Sequence, residues 1–396
     1  MNVLVCNVGS TSLKVKLYDM PSCRVLCTAK AERVRSLNDA LFRYENLISG
    51  KVLDDARIGI RDYREGILKI LDAMTSQDTG VIKKVSDIHR VGFKTTLSKD
   101  HFSTHELTED VIQGMKDWLP LAALHNAGYI EAIETIRGIL PEAVFLGVFE
   151  TGFHRDIPLY RRIYGVPYEW YDQYGVQRLG YHSASHGFIA DTLNQLSDGK
   201  YRAISCHLGG SSSVCGILNG KSIDTSFGMT LQSGLIHAAR TGDLDCDLFE
   251  FLRSQGLTDQ EIHDGYEKKG GLLGISGISE DVRYISEAAA KGNERAQLAL
   301  DAFVNGIVHY IGAFYIDLAG LDYLVFTAGI GENSALIREM VCEKLSVLGV
   351  VLDLQKNREK NAAGEIQGAD SRVKIMVIPT NEELGIARRT YEYVRK

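Results

Sequence analysis

The chain opens on an apolar run, Met1–Cys6, that passes through Asn7 into a Gly-Ser turn and resumes as the alternating segment Leu13–Tyr18. Two such runs facing each other across a short turn predict an antiparallel hairpin. Short apolar runs bounded by glycine, Ala143–Phe149 and Leu324–Thr327, predict buried strands. Asn293 precedes an amphipathic pattern that continues to about Ala319, which predicts a long, capped helix. Near the end, Thr380 and Glu383 have the spacing of a capping box. Leu384, Ala387, Tyr391 and Val394 share one face of the helix it would open.

Strands and helices alternate throughout, with no Pro/Ser-rich linker or low-complexity tract, and a weak duplication runs through them. Cys6-Asn7-Val8-Gly9-Ser10-Thr11-Ser12 has a counterpart in Cys206-His207-Leu208-Gly209-Gly210-Ser211-Ser212-Ser213. A second echo sets Val148-Phe149-Glu150-Thr151-Gly152 against Val325-Phe326-Thr327-Ala328-Gly329. Both predict an α/β duplication: two similar lobes, each opening with a hairpin, and a cleft between them. A length of 396 residues likewise favours two domains over one core.

Charge and cysteine usage narrow the function classes. A net charge of -7 argues against a general nucleic-acid binder, so an anionic ligand needs a local cluster of basic groups. Seven scattered cysteines without a CxxC pair suit a reducing compartment. The N-terminus lacks the basic flank of a signal peptide, and Leu298–Leu318 is interrupted by Asp301, Asn305, His309 and Asp317. The expectation is a cytoplasmic protein with no membrane span.

Gly-Ser turns let backbone N–H groups approach an anion, with hydroxyls as further donors. They are also ordinary hairpin residues, so each turn alone reads equally as structure. Lys14 projects to the same strand face as Ser12 and so within reach of a phosphate. Neither a Walker A motif nor GxGxxG stands at a strand–helix junction. The run Gly329-Ile330-Gly331-Glu332-Asn333 follows a buried strand and precedes a helix that Asn333 would cap, leaving bare backbone for a nucleotide; the plainer reading is a tight turn.

Ordered segments then carry a resemblance: NVGSTSLKVKLYD, HRV at His89–Val91, LPLAALHN at Leu119–Asn126, VFETGFH, LGYHSASH, CHLGGSSSV, IDTSFGMT to ARTGDLD, GLLGISGISEDVR, FTAGIGENS and IPTNEELGIAR. Together they cover nearly the whole chain and resemble the acetate and propionate kinases of the sugar kinase–actin–Hsp70 superfamily. The resemblance implies a duplicated actin-like (ribonuclease H-like) fold, with residues 1–150 plus 382–396 as one domain and 151–381 as the other. It implies reversible transfer of a phosphoryl group from ATP to a short-chain carboxylate, giving acyl phosphate and ADP in a homodimer. It places Arg90, Glu150, His182 and Arg240 in catalysis. Arg90, Gly92, Leu124, Tyr181 and Leu231 are placed at the carboxylate. Lys14, His207, Leu208, Gly209, Gly210, Ser211, Asp281, Val282, Arg283 and Gly329 to Asn333 are placed at the nucleotide. Asn7 and Glu382 are placed at a magnesium (or manganese) ion.

The chain departs from that pattern near the acceptor. Glu150 stands where the family usually has Asp, and Gly92-Phe93-Lys94-Thr95-Thr96 replaces a His-Gly-Gly element after HRV. Gly92 replaces the usual Val, Tyr181 the usual Phe and Leu231 the usual Pro; Thr230 to Gly234 stands for TPLEG, and His207 to Ser211 for HLGNG. Gly92 is expected to enlarge the pocket and admit a larger or more polar acid. The rival readings are a pyrophosphate-dependent member, a nucleotide-binding member without catalysis, and a sugar kinase. The last needs a base to activate a hydroxyl, whereas a carboxylate is already ionised near neutral pH.

Overall fold

The computed structural model describes residues 1–9, 11–359 and 363–394, and leaves the side chains of residues 122–125 outside the description. Its contacts divide into two units, Met1–Arg155 with Asn381–Lys396, and Asp156–Thr380. In the first unit the strands are β1 (Asn2–Val8), β2 (Ser12–Asp19), β3 (Arg24–Glu32), β4 (Ser36–Asn46), β5 (Val52–Ile60), β6 (Ile88–Thr95), β7 (Thr104–Glu106) and β8 (Val144–Phe149). They form one sheet in the order β5-β4-β3-β2-β1-β6-β8-β7. In the second unit β9 (Arg202–His207), β10 (Ser213–Leu218), β11 (Lys221–Thr225), β12 (Tyr323–Thr327), β13 (Gly364–Glu365) and β14 (Lys374–Val377) take the order β11-β10-β9-β12-β14-β13.

The duplication is visible in these orders. The run β3-β2-β1-β6-β8 repeats as β11-β10-β9-β12-β14, each with an antiparallel hairpin and parallel strands beyond it. The hairpin echo lies in register with this repeat. The second echo does not: β8 holds the fifth place of its motif and β12 the fourth, so the strand matching β12 is β6. An apolar strand followed by glycine recurs for local reasons and carries no topology.

Asn293 caps the helix Glu294–Asp317, its side chain accepting from the Ala296 N–H. By length and composition this helix is long and apolar enough to cross a membrane, contrary to the expectation that no segment is. Its Leu300, Phe303, Val304, Ile307 and Ile311 instead pack into the core of the second unit. The C-terminal helix Glu382–Glu392 is capped by Asn381, which accepts from the Leu384 N–H, rather than by Thr380. Its buried face is Gly385, Ile386, Ala387 and Thr390, one step round from the expected stripe.

That helix lies on β6 because of the strand's two-residue period. Val91 and Phe93 enter the first unit's core, whereas position 92 faces the helix. A Cβ at Gly92 would lie 2.2 Å from Thr390 Oγ1 and 3.2 Å from Ile386 Cγ2. The missing side chain therefore makes room for the helix, not for a ligand, and the expected pocket enlargement is corrected on that ground.

In the second unit, His237 anchors the β9–β10 turn: its Nδ1 accepts from the Ser212 N–H at 3.0 Å. Burial pushes the imidazole down to about 3, and the charge of Arg240 pushes the same way, while the Ser233 carbonyl acts oppositely.

Two outcomes follow from this packing. Gly92→Val should lower stability by about 1–3 kcal/mol through overpacking against Thr390, read as a lower urea midpoint; an unchanged midpoint would show that the helix can step aside. The His237 value lies below that of the unfolded chain, near 6.5, so the unfolded state takes the proton first. Its contribution is complete above about pH 6.5 and is lost as pH falls towards 3, at up to about 1.4 kcal/mol per pH unit. Urea melts at pH 7, 6 and 5 should show that slope, and His237→Gln should flatten it; equal slopes in both proteins would remove His237 as the cause.

Candidate functional site

Bare backbone builds the site of the second unit. In the turn after β9, the Gly209 N–H donates to Ser212 Oγ at 3.1 Å, and that hydroxyl donates back to the Gly209 carbonyl at 3.0 Å. The Ile330 and Gly331 N–H groups both donate to the Leu208 carbonyl, at 2.7 and 3.1 Å, which ties the second glycine segment to the first. A Cβ added at Gly210 or Gly329 would meet nothing within 4 Å, so both face open space. Ser211 Oγ is buried without a hydrogen-bond partner among the described residues.

Beside them lies a cavity of about 550 Å³ that brings together Gly209, Gly210, Asp281, Val282, Arg283, Gly329, Ile330 and Asn333. An adjoining one of about 450 Å³ shares Gly210, Asp281 and Ile330 and adds Arg240 and Glu267. Asp281 caps the helix Val282–Ala290 and pairs with Arg283 at 2.5 Å. The Arg283 hydrogen bond holds the Asp281 carboxyl below its ordinary range.

Other members of the expected nucleotide set act through structure. Leu208 is fully buried and contributes its carbonyl. Glu332 accepts from the Thr380 N–H at 3.0 Å. Asn333 ends the helix Ala328–Asn333 and donates to the Gly329 carbonyl at 2.8 Å; the cap of the next helix, Ala335–Lys344, is Ser334, not Asn333. Arg338, which sequence reasoning missed, is buried and donates to the Gly331 and Glu332 carbonyls at 2.9 and 2.8 Å. Its Nε donates to Asn357 at 2.7 Å, so a guanidinium braces the glycine segment from behind.

Arg240, which lines the smaller cavity, donates through Nη1 to the Leu231 carbonyl at 2.5 Å. Burial lowers its pKa and Glu267 partly offsets this; a guanidinium remains charged even so. Tyr181 is buried and its hydroxyl donates to the Met229 carbonyl at 2.6 Å, so the extra oxygen serves packing.

His182 holds a left-handed backbone (φ 60°) at the start of the helix Ser183–Leu196 and stacks on His207, with centroids 3.9 Å apart. Its Nδ1 lies 2.9 Å from Ser213 Oγ, which is also 2.8 Å from His186 Nε2; His186 Nδ1 lies 3.0 Å from Ser205 Oγ. In one of the two self-consistent directions of this relay, Ser213 donates to Nδ1 and the His182 proton sits on Nε2. His207 Nδ1 lies 2.8 Å from Ser185 Oγ.

The first unit carries a charged cluster at the carboxyl ends of β1, β6 and β8. Pairing of Cys6 with Phe93 sets Asn7 level with Lys94, and the Glu150 N–H donates to the Thr95 carbonyl at 2.9 Å. The Lys94 ammonium stands 2.5 Å from Glu382 Oε2 and 3.9 Å from Glu150 Oε2. These three side chains are 20%, 17% and 8% exposed. Burial opposes the lysine's charge, but Glu150 and Glu382 outweigh it and raise its pKa. Tyr129 donates to Asn7 Oδ1 at 3.3 Å.

At the other end of the same strand, Arg90 Nη1 donates to the carbonyls of Thr390, Tyr391 and Tyr393 at 2.7, 2.9 and 2.8 Å. Lys14 is exposed on β2, opposite Asn7, and lines a separate hollow of about 270 Å³ with Lys16, Lys30 and Arg43. Leu124 lies in the helix Leu119–Ile139, with its side chain outside the description. Sequence reading assigned no role to Lys94 or Tyr129; the signal for Lys94 was the substitution of the His-Gly-Gly element.

A family model described as the acetokinase family matches residues 2–388. An acetate kinase of Treponema denticola is 38% identical over 400 residues, covering 100% of each chain, and one of Acetivibrio thermocellus is 38% identical over 401 residues, again over 100% of each. Among solved structures, Porphyromonas gingivalis acetate kinase superposes with a TM-score of 0.88 at 34% identity, covering 98% of each chain. A propionate kinase from Francisella tularensis superposes with a TM-score of 0.90 at 32% identity, covering 99% of this chain and 100% of that one. The chain belongs to the acetokinase family.

Proposed function

We propose that the protein transfers the terminal phosphoryl group of ATP reversibly to a short-chain carboxylate, giving an acyl phosphate and ADP. The observation that carries this is the glycine-lined cavity beside Arg240. Open backbone at Gly210 and Gly329 and the buried Ser211 hydroxyl suit a polyphosphate, and the 550 Å³ space between Asp281–Arg283 and Gly329–Asn333 suits a nucleoside. The relatives are named acetate and propionate kinases, and those two acids are the proposed acceptors. Gly92 no longer argues for a larger one, since Thr390 takes its space.

The chemistry needs no general base. A carboxylate with a pKa near about 4–5 is already a nucleophile at neutral pH. What opposes reaction is the meeting of two anions, and guanidinium groups answer it by bidentate pairing with carboxylate or phosphoryl oxygens. Arg240 is proposed for that role in the second unit. Arg90 is proposed as its companion, with Nη1 spent on the C-terminal carbonyls and Nε and Nη2 without bonds among the described residues. His182 is proposed to donate to the transferring group, where charge spreads over equatorial oxygens. The alternatives, pyrophosphate as donor or loss of catalysis, have no observation in their favour.

The resemblance also assigns Mg²⁺ (or Mn²⁺) to Asn7 and Glu382. With the Lys94 ammonium in contact with Glu382, these residues do not fit a directly held divalent ion as they stand. We therefore infer that the metal is brought by the nucleotide's own oxygens. A homodimer, a cytoplasmic location and the absence of nucleic-acid or membrane partners belong to the same reading, and the charge of -7 supports the absence of a nucleic-acid partner.

Trapping acyl phosphate with hydroxylamine should detect product from ATP and acetate or propionate. Arg240→Ala should cut turnover by about 10³-fold at a nearly unchanged melting temperature. No trapped product in the wild type, or full turnover in the variant, would end this assignment.

A further inference from the structure

We propose that Lys94 is the resident cation of the Glu150–Glu382 carboxylate pair, a tethered ammonium in the place where the family resemblance puts a protein-held divalent metal. Its catalytic meaning rests on the function proposed above; its existence as a site stands on the first unit alone.

Three features support it. The ammonium nitrogen lies 2.5 Å from Glu382 Oε2, within the roughly 2.0–2.6 Å at which hard divalent ions take oxygen ligands. A metal bound to that oxygen would overlap the ammonium or be repelled by it. Second, Glu150 and Glu382 are 8% and 17% exposed, and two carboxylates so placed need a counter-charge, which the lysine supplies from within the chain. Third, the oxygen that would complete a metal site, Asn7 Oδ1, already accepts from the Tyr129 hydroxyl. With Lys94 in place the pair is one negative charge short of what a divalent ion would face without it.

Nucleotide-free protein should therefore decline a divalent ion here, and removing the lysine should create a site for one. Mn²⁺ titration followed by electron paramagnetic resonance, without nucleotide, reads this directly. Wild type should leave the free Mn²⁺ signal undiminished up to about 1 mM, the weak end of oxygen-ligated sites. Lys94→Met should bind one Mn²⁺ at least about ten-fold more tightly. Its melting temperature, below wild type in chelator, should rise on adding Mn²⁺. Lys94→Met with Glu382→Gln should lose both effects.

The proposal is overturned if wild type takes up an Mn²⁺ ion that Glu382→Gln abolishes, or if folded Lys94→Met gains none. Should Lys94→Met fail to fold, the wild-type and Glu382→Gln titrations still decide, with Lys94→Arg expected to exclude the ion as wild type does. Acyl phosphate formation enters none of these readings, so failure of the kinase assignment and failure of this one are separable.

Discussion

Strand β6 fastens the C-terminal helix by presenting a cation, a glycine and a cation at alternate positions on one face. Lys94 meets Glu382 in the first turn of that helix, and Arg90 gathers the carbonyls of Thr390, Tyr391 and Tyr393 at its end. Four strand residues span roughly 13 Å and the helix of residues 382–392 roughly 16 Å, so the two charges are spaced to reach its ends. The Glu382 carboxylate at the helix N-terminus and the Arg90 guanidinium at its C-terminus complement the macrodipole. Between them Gly92 lets Ile386 and Thr390 approach the backbone. Breaking such a buried pair by removing one partner typically costs about 3–5 kcal/mol. That is enough to make this strand the condition for the helix, and hence Glu382, being where they are.

The second unit solves a different problem, holding glycine backbone firm while leaving it uncovered. Leu208 accepts two N–H groups from the segment after β12, and Arg338 accepts none but donates to two carbonyls of the same segment. A buried guanidinium is an expensive brace unless its donors are satisfied, and here Asn357 and the Gly331 and Glu332 carbonyls take them. The uncovered side of Gly210 and Gly329 can thus stay bare because the segment is bonded elsewhere. His237, kept neutral by burial, performs the same service for Ser212.

What was legible in the sequence follows from how local each signal is. The hairpins, the strands before Glu150 and Ala328, and the Asn293 cap are set by neighbours in the chain, and the structure has them. The glycine cavity was legible because glycine beside serine advertises accessible backbone. Gly92 misled, since an absent side chain signals either open space or a close neighbour, and the neighbour, Thr390, lies some 300 positions on. Lys94 was visible as a departure, yet its meaning requires segments 94, 150 and 382 at one point. Asn381 and Thr380 compete for a single cap one residue apart, and the chain settles that by sending the Thr380 N–H to Glu332.

Using a lysine where a metal would serve changes what the cluster depends on. A bound ion stabilises the folded state by mass action and so varies with its concentration; a tethered ammonium contributes always. The lysine gives up rotamer freedom of about 2 kcal/mol, and its single charge leaves Glu150 and Glu382 net negative. On this reading the first unit keeps its helix docked without metal.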